Sequence, residues 1–273
     1  IEYLTSKKNE SEDEPQIKYF SKLIQILSMS CRKLYNNGFK NGVIKESESI
    51  FRKMGFYKQL DVDENLMGVG NGVLRFVNDD GIKKPMLVSS YHHYKVSRHS
   101  NVEYKEFDIN DPVTKMVYKS ICDLFPSNER DVLHYIMFYL STALTGRLKA
   151  CLFLTLRGCG ANGKSYLMEL VRNLLGSTDD NGYGCKIPIQ YLVEREQLSN
   201  NASPALVPLM YSRFSMFSES SKGQQLYPPK VKLLNSHEPI PIRPLYGKQT
   251  NVIHKSIFIL GTNYELSVDS TDY

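Results

Sequence analysis

The sequence predicts an α/β fold: a mainly parallel central sheet built around one glycine loop and preceded by a mainly helical region. Three observations predict it. An apolar run from Cys151 to Arg157 leads into Gly158-Cys159-Gly160-Ala161-Asn162-Gly163-Lys164-Ser165, which fits the phosphate-loop pattern G-x-x-x-x-G-K-[ST] without a mismatch. A stretch of helical period, Tyr166 to Leu175, follows at once. Two further apolar runs, 213–217 and 256–262, lie downstream and end in polar residues, which suits the carboxyl ends of parallel strands.

Composition sets the bounds. The chain has 273 residues, 41% hydrophobic and 23% charged, enough for a sizeable core and for two domains. No apolar run reaches the ~18 residues of a membrane span, so no membrane partner is expected. The five cysteines (31, 122, 151, 159 and 185) form no C-x-x-C pair, which argues against a disulfide framework or a zinc site and for a reducing compartment. His92 and His93 are adjacent, so in a strand their rings point to opposite faces, and none of the six histidines has metal-ligand spacing. The net charge of +5 and pI near 8.8 are compatible with nucleic acid but not diagnostic of it. The first residue is Ile1, so the chain is expected to be a fragment or a processed product.

In chain order, residues 1–14 read as a solvated lead-in. Pro15 suits a first helical turn. Ile17, Phe20, Ile24, Leu27, Cys31 and Leu34 recur at helical spacing, and Asn36-Asn37-Gly38 reads as the stop. A shorter helix is expected over 45–53. Gly70-Asn71-Gly72 reads as a turn between short strands, and Asn78 to Gly81 as a second turn. Residues 87–98 are expected as a strand or irregular segment. Asp111-Pro112 opens a helix along Val113, Met116, Val117, Ser120 and Leu124, which Pro126 ends. Ser127 to Arg130 offers a cap for a further helix with the stripe Val132, Leu133, Ile136, Met137, Leu140 and Leu144, closed by Gly146. Residues 1–146 are thus expected as a mainly helical domain and 147–273 as the sheet-bearing core. After the loop helix, 176–186 reads as a polar loop, 187–192 as a short apolar segment, 194–201 as polar and 204–210 as a short helix. A short helix through Leu234 and a hairpin with Tyr246-Gly247-Lys248 at its tip precede the last strand.

The loop carries the chemistry. Glycines 158, 160 and 163 let the backbone turn sharply and point N–H groups at phosphate oxygens, and the following helix adds its positive end. Lys164 is placed to reach the β- and γ-phosphates, and the Ser165 hydroxyl to hold Mg²⁺. A second acid is needed, and Glu219, just past the 213–217 strand, is the candidate; Ser218 stands where many ATPases carry another acid. Asn263 ends the neighbouring strand and can touch the γ-phosphate or the attacking water, though a turn-forming Asn is the plain alternative. Lys248 beside Tyr246 on a projecting turn suits a single-strand contact, with a solvated turn as the alternative.

In the order of these motifs, with the block Lys232…Arg243-Pro244-Leu245-Tyr246-Gly247 and the ending Gly261-Thr262-Asn263, the chain resembles the superfamily 3 helicases. More narrowly, it is similar to the primase-helicases of poxviruses, African swine fever virus and other large nucleocytoplasmic DNA viruses, over about residues 60–273. Gly70 to Leu74 and the helix from Phe138 to Gly146 resemble the helical, collar-like domain that precedes the ATPase in that group. The resemblance implies an AAA+ ATPase in a hexameric ring, using ATP and Mg²⁺ between subunits. It implies nucleotide binding by 158–165, Glu219 as the Walker B acid that shares the metal with Ser165, and Asn263 as sensor. It also implies Lys232 and Arg243 in the superfamily block, and Lys248 in the DNA-gripping hairpin. Single-stranded DNA, further copies of the chain and other replication proteins are the implied partners, and the host cytoplasm the implied location. Two departures stand out. Ser236-His237-Glu238 replaces the usual Gly-Gly-Asp before the hairpin, and no Arg follows Arg243, so the arginine finger is expected beyond Tyr273. A ring-forming, DNA-binding or loading scaffold and a small-molecule kinase are the rival readings; a kinase needs an arginine-rich lid, and only Arg172, Arg195, Arg213 and Arg243 follow Lys164.

Overall fold

A computed structural model of the chain describes residues 1–11, 13–89, 91–126, 129–146, 151–193, 204–217, 222–236 and 238–268. It divides into two compact units, Ile1–Lys58 and Gln59–Tyr273. The expected boundary at 146–147 therefore falls inside the second unit.

The first unit holds α1 (Glu2–Glu10), α2 (Glu14–Tyr35) and α3 (Asn37–Phe51). The expected solvated lead-in is helical because its charges pair along the helix: Glu10 accepts from Ser6 Oγ (2.8 Å) and from Lys7 Nζ (3.0 Å). Asn36-Asn37-Gly38 stops α2 as expected, and it also starts the next helix. The Asn36 side chain accepts from Phe39 N (3.2 Å), so the residue that ends α2 also caps α3. None of the residues in these three helices is fully buried.

The second unit opens with β1 (Leu66–Val69), β2 (Gly72–Asp79) and β3 (Ile82–Val88), an antiparallel sheet in that order. Both expected turns are present; Asp80 (φ 49°) and Gly81 (φ 84°) give the second the left-handed pair that a tight hairpin needs. Next come α4 (Tyr91–Tyr94), α5 (Pro112–Cys122) and α6 (Arg130–Ser141). Asp111 caps α5, accepting from Thr114 N at 2.8 Å. In α6 the buried residues are Leu133, Ile136, Tyr139 and Leu140, while Val132 and Met137 of the expected stripe are exposed. The face is turned toward Tyr139, whose hydroxyl donates to Phe258 O (2.9 Å) and accepts from Phe258 N (3.2 Å). Burial pushes that phenol up to about 12.

The remaining elements are β4 (Phe153–Arg157), α7 (Lys164–Leu175), β5 (Gly184–Ile187), α8 (Gln190–Val193), β6 (Phe214–Phe217), β7 (Gln225–Leu226) and α9 (Pro228–Asn235), then β8 (Ile240–Ile242), β9 (Thr250–Val252), β10 (Ile257–Thr262) and β11 (Ser267–Val268). The central sheet runs β4-β10-β6-β5, all parallel. The two inner strands, β6 and β10, are buried at every position because both faces are covered. Ile257 and Ile259 join Phe214, Met216 and the α7 residues Leu167 and Met168 on one face; Phe258 and Leu260 join Phe217 and Ile187 on the other. The first of these cores continues into Ile136 and Leu140 of α6 and Met67 and Leu74 of the small sheet, so one core spans both sides of residue 146. The expected polar loop 176–186 contains most of β5, whose Cys185 is buried beside Ile187. Residues 194–201 lie outside the described residues. Among the described residues no helix is long and apolar enough to cross a membrane.

Arg213, at the foot of β6, ties the parts together. Its guanidinium is 4% exposed, donates to Leu144 O (2.6 Å) and Leu66 O (2.5 Å), and lies 4.7 Å from the centre of the Tyr183 ring. Burial pushes its pKa down from the usual arginine value.

Candidate functional site

The loop between β4 and α7 is fastened at its start, where Gly158 N donates to Thr262 O of the neighbouring strand (3.2 Å). Two of its glycines are needed for shape. A Cβ on Gly158 would fall 2.0 Å from the Asn162 side chain. Gly163 sits at φ 79°, and a Cβ there would fall 2.2 Å from Leu124 of the α5–α6 connection. Gly160 differs: nothing lies within 4 Å of its Cβ position, so its backbone is open to whatever the loop holds.

Lys164 opens α7 and folds back over the loop. Its ammonium donates to Asn162 Oδ1 (2.7 Å), Asn263 Oδ1 (2.8 Å), Gly158 O (2.9 Å) and, at longer range, Cys159 O (3.3 Å). All four acceptors are neutral, and they outnumber its three N–H bonds. Around it lies a cavity of about 350 Å³, lined by loop residues 160–165, Gly261 and Asn263 from the end of β10, and Met216 and Phe217 from the end of β6. A cation held by neutral oxygens in the wall of a cavity, at a helix N-terminus, is arranged to receive an anion.

No protein-family model matches the chain. A protein of African swine fever virus named as a primase is 31% identical over 257 residues, which cover 94% of this chain and 26% of that protein. One of Acanthamoeba polyphaga mimivirus, named as a helicase, is 32% identical over 215 residues, 79% of this chain and 21% of that protein. One of Invertebrate iridescent virus 3, also named as a helicase, is 26% identical over 226 residues. The chain belongs with the primase-helicases of the large nucleocytoplasmic DNA viruses. It spans 26% of the African swine fever virus relative's length, so it matches a segment of such a protein. Among solved structures, the apo C-terminal region of NrS-1 is similar at a TM-score of 0.45 and 15% identity, covering 72% of this chain and 43% of that one.

In this segment the structure brings Lys164, Ser165 and Asn263 to one cavity with the loop. Glu219 and Ser218 lie outside the described residues, directly after Phe217, which lines that cavity. Lys232 is exposed on α9, and Arg243, Tyr246 and Lys248 lie between β8 and β9; none of these four lines the cavity. The expected hairpin is formed, with Gly247 N donating to Pro244 O (3.0 Å) and Tyr246 99% exposed at φ 61°. His237 of the departing triplet lies outside the described residues.

Two lining residues had escaped the sequence reading. Glu169 is one helical turn beyond Ser165 and is paired with Arg172 (2.9 Å). The i, i+4 spacing could have found it. Lys186 lies on β5, and no face could be assigned to a stretch read as a loop.

Proposed function

We propose that this segment is the ATP-dependent DNA helicase module of a viral replicative primase-helicase: a superfamily 3, AAA+-type ATPase that hydrolyses ATP at the interfaces of a homo-hexameric ring and translocates on single-stranded DNA. The observation that carries it is the meeting of the Lys164 ammonium with Asn263 Oδ1, 2.8 Å apart, across the loop cavity. It gives a phosphate-binding cation and an amide on the adjacent strand a common target, which a stray glycine turn has no reason to do. The printed names of the relatives support a DNA-replication role for the protein that contains this segment.

In this reading residues 158–165 cradle the triphosphate, Lys164 neutralises its β- and γ-oxygens, and Asn263 orients the terminal phosphate or the attacking water. The donor set suits Mg²⁺·ATP: the loop residues 160–165 are joined in the cavity lining by two lysines, Lys164 and Lys186, and two hydroxyl residues, Ser165 and Tyr166. Ser165 and Glu219 would hold the Mg²⁺, which supplies charge neutralisation at the phosphates. Residues up to 146 serve as the collar, and within the second unit the stretch from Met67 to Leu144 shares a core with the 147–273 ATPase part. Lys232 and Arg243 belong to the superfamily block, and Tyr246 and Lys248 reach for the strand in the ring channel. Other replication proteins at viral sites in the host cytoplasm are its working partners.

The test is calorimetric titration of Mg²⁺·ADP and a slowly hydrolysed ATP analogue, followed by hydrolysis assays with and without single-stranded DNA. Nucleotide binding that Lys164→Ala removes, and turnover that DNA stimulates, are expected. Failure of the unaltered chain to bind either nucleotide overturns the reading. Stimulation by nucleosides in place of DNA would favour the kinase.

A further inference from the structure

The cavity around Lys164 covers the ends of β10, β6 and β5, but the loop has a second side. Along β4, between the loop and the α5–α6 helices, lies another cleft of about 490 Å³. Asn162, Gly163 and Lys164 line both spaces, so the loop forms a wall of each. The second is mostly apolar, walled by Leu124, Val132, Tyr135 and Leu156. Val132 is 45% and Tyr135 50% exposed, an apolar pair on α6 that the core leaves uncovered.

Besides Lys164, two charged groups stand in this apolar wall, Glu129 and Arg157. Arg157 is already engaged with Glu265 (3.4 Å). Glu129 is not engaged. It occupies the N-cap position of α6 yet makes no side-chain cap bond, and among the described residues its carboxylate has no hydrogen bond or ion pair. An N-cap residue that leaves the helix end uncapped and lines a cleft instead is a free acceptor.

We infer that this cleft takes the nucleobase of the nucleotide whose phosphates sit in the loop, and that Glu129 selects adenine by accepting a hydrogen bond from its amino group. The inference rests on the nucleotide reading above and extends it to the substrate's identity. The direction follows from the sheet. The terminal phosphate lies toward Asn263 on β10, so the rest of the nucleotide leaves the loop on the side of β4, where Tyr135 and Leu124 offer a planar base an apolar bed. Adenine presents an amino donor where guanine presents a carbonyl acceptor, and a carboxylate meeting that edge favours the first and repels the second.

Titration calorimetry of the unaltered chain with Mg²⁺·ADP, Mg²⁺·GDP and Mg²⁺·pyrophosphate tests it. ADP should bind about tenfold or more tighter than pyrophosphate, because only ADP fills the apolar cleft. It should also bind about tenfold tighter than GDP. Tyr135→Ala should bring ADP down toward pyrophosphate without changing pyrophosphate affinity. Glu129→Gln, whose amide can donate to guanine, should erase most of the ADP-over-GDP preference and leave pyrophosphate unchanged. Both positions are exposed, and unchanged circular dichroism would confirm the fold of each variant. If ADP binds but neither variant alters ADP affinity or the ADP-to-GDP ratio, the base lies elsewhere and the cleft assignment falls while the loop assignment stands. If the unaltered chain binds neither ADP nor pyrophosphate, both fall together.

Discussion

The loop corner and the β8–β9 tip are both candidate contacts for polyanions, and they are built in opposite ways. At the corner, Lys164 is held by four oxygens from two segments, the loop and the end of β10, and its loop is packed against Leu124 on one side and tied to Thr262 on the other. At the tip, Tyr246 is 99% exposed, and the exposed Lys248 makes no hydrogen bond or ion pair among the described residues. A group that must meet one phosphate in one geometry gains from having its rotamer fixed before the ligand arrives. A group that grips and releases a moving strand gains from reach and from cheap resolvation. Rigidity marks the proposed chemical site, and exposure marks the proposed track.

The largest test of that contrast is Lys164→Ala. Nucleotide affinity and turnover should fall on the order of 10²–10³-fold, the scale of losing a preorganised charge partner. Single-strand binding without nucleotide should be unchanged in a filter or anisotropy assay; if it falls as steeply, corner and tip are not separate devices. Arg213→Ala comes next. It orphans the carbonyls of Leu66 and Leu144 and opens a void under β6, so urea unfolding should show a loss of about 2–4 kcal/mol. Arg213→Met, which fills the space, should cost less. Asn263→Ala should lower hydrolysis about tenfold with ADP affinity nearly intact, since it removes an orienting amide and no charge. An equal loss in both would make Asn263 a binding residue. Smallest is Lys248→Ala. It should weaken single-strand binding a few-fold and flatten the salt dependence by about 0.7 in slope, one phosphate's worth, without touching basal hydrolysis.

The loop corner was legible in the sequence because its features are local. The pattern 158–165 forces a turn and a helix, and the stretch before it is mainly apolar, so composition and motif agree. Two misreadings also have local causes. Asn36 does end α2, but the helix expected over 45–53 starts at Asn37, because the side chain at the end of one helix caps the next, and only the structure shows which N–H it meets. Residues 184–186 read as loop because Gly184 and Lys186 interrupt a strand of four residues, which is too short for alternation to show. Other features depend on distant pairing. Nothing in Val132 or Glu129 marks a cleft wall, because the cleft exists only where α6 faces β4. Arg213 resembles any basic residue before a strand until Leu66 and Leu144 are seen around it.

The contact between Leu124 and Gly163 has a further consequence. A methyl at position 163 has no room unless Leu124 backs away, so the phosphate turn and the connection that follows α5 share one seat. Interiors packed this closely transmit displacement without absorbing it. The bulk of residue 124 therefore acts as a set-screw on the turn: a shorter side chain would leave it slack, and a ligand that presses the turn outward would be felt first in the helices before it.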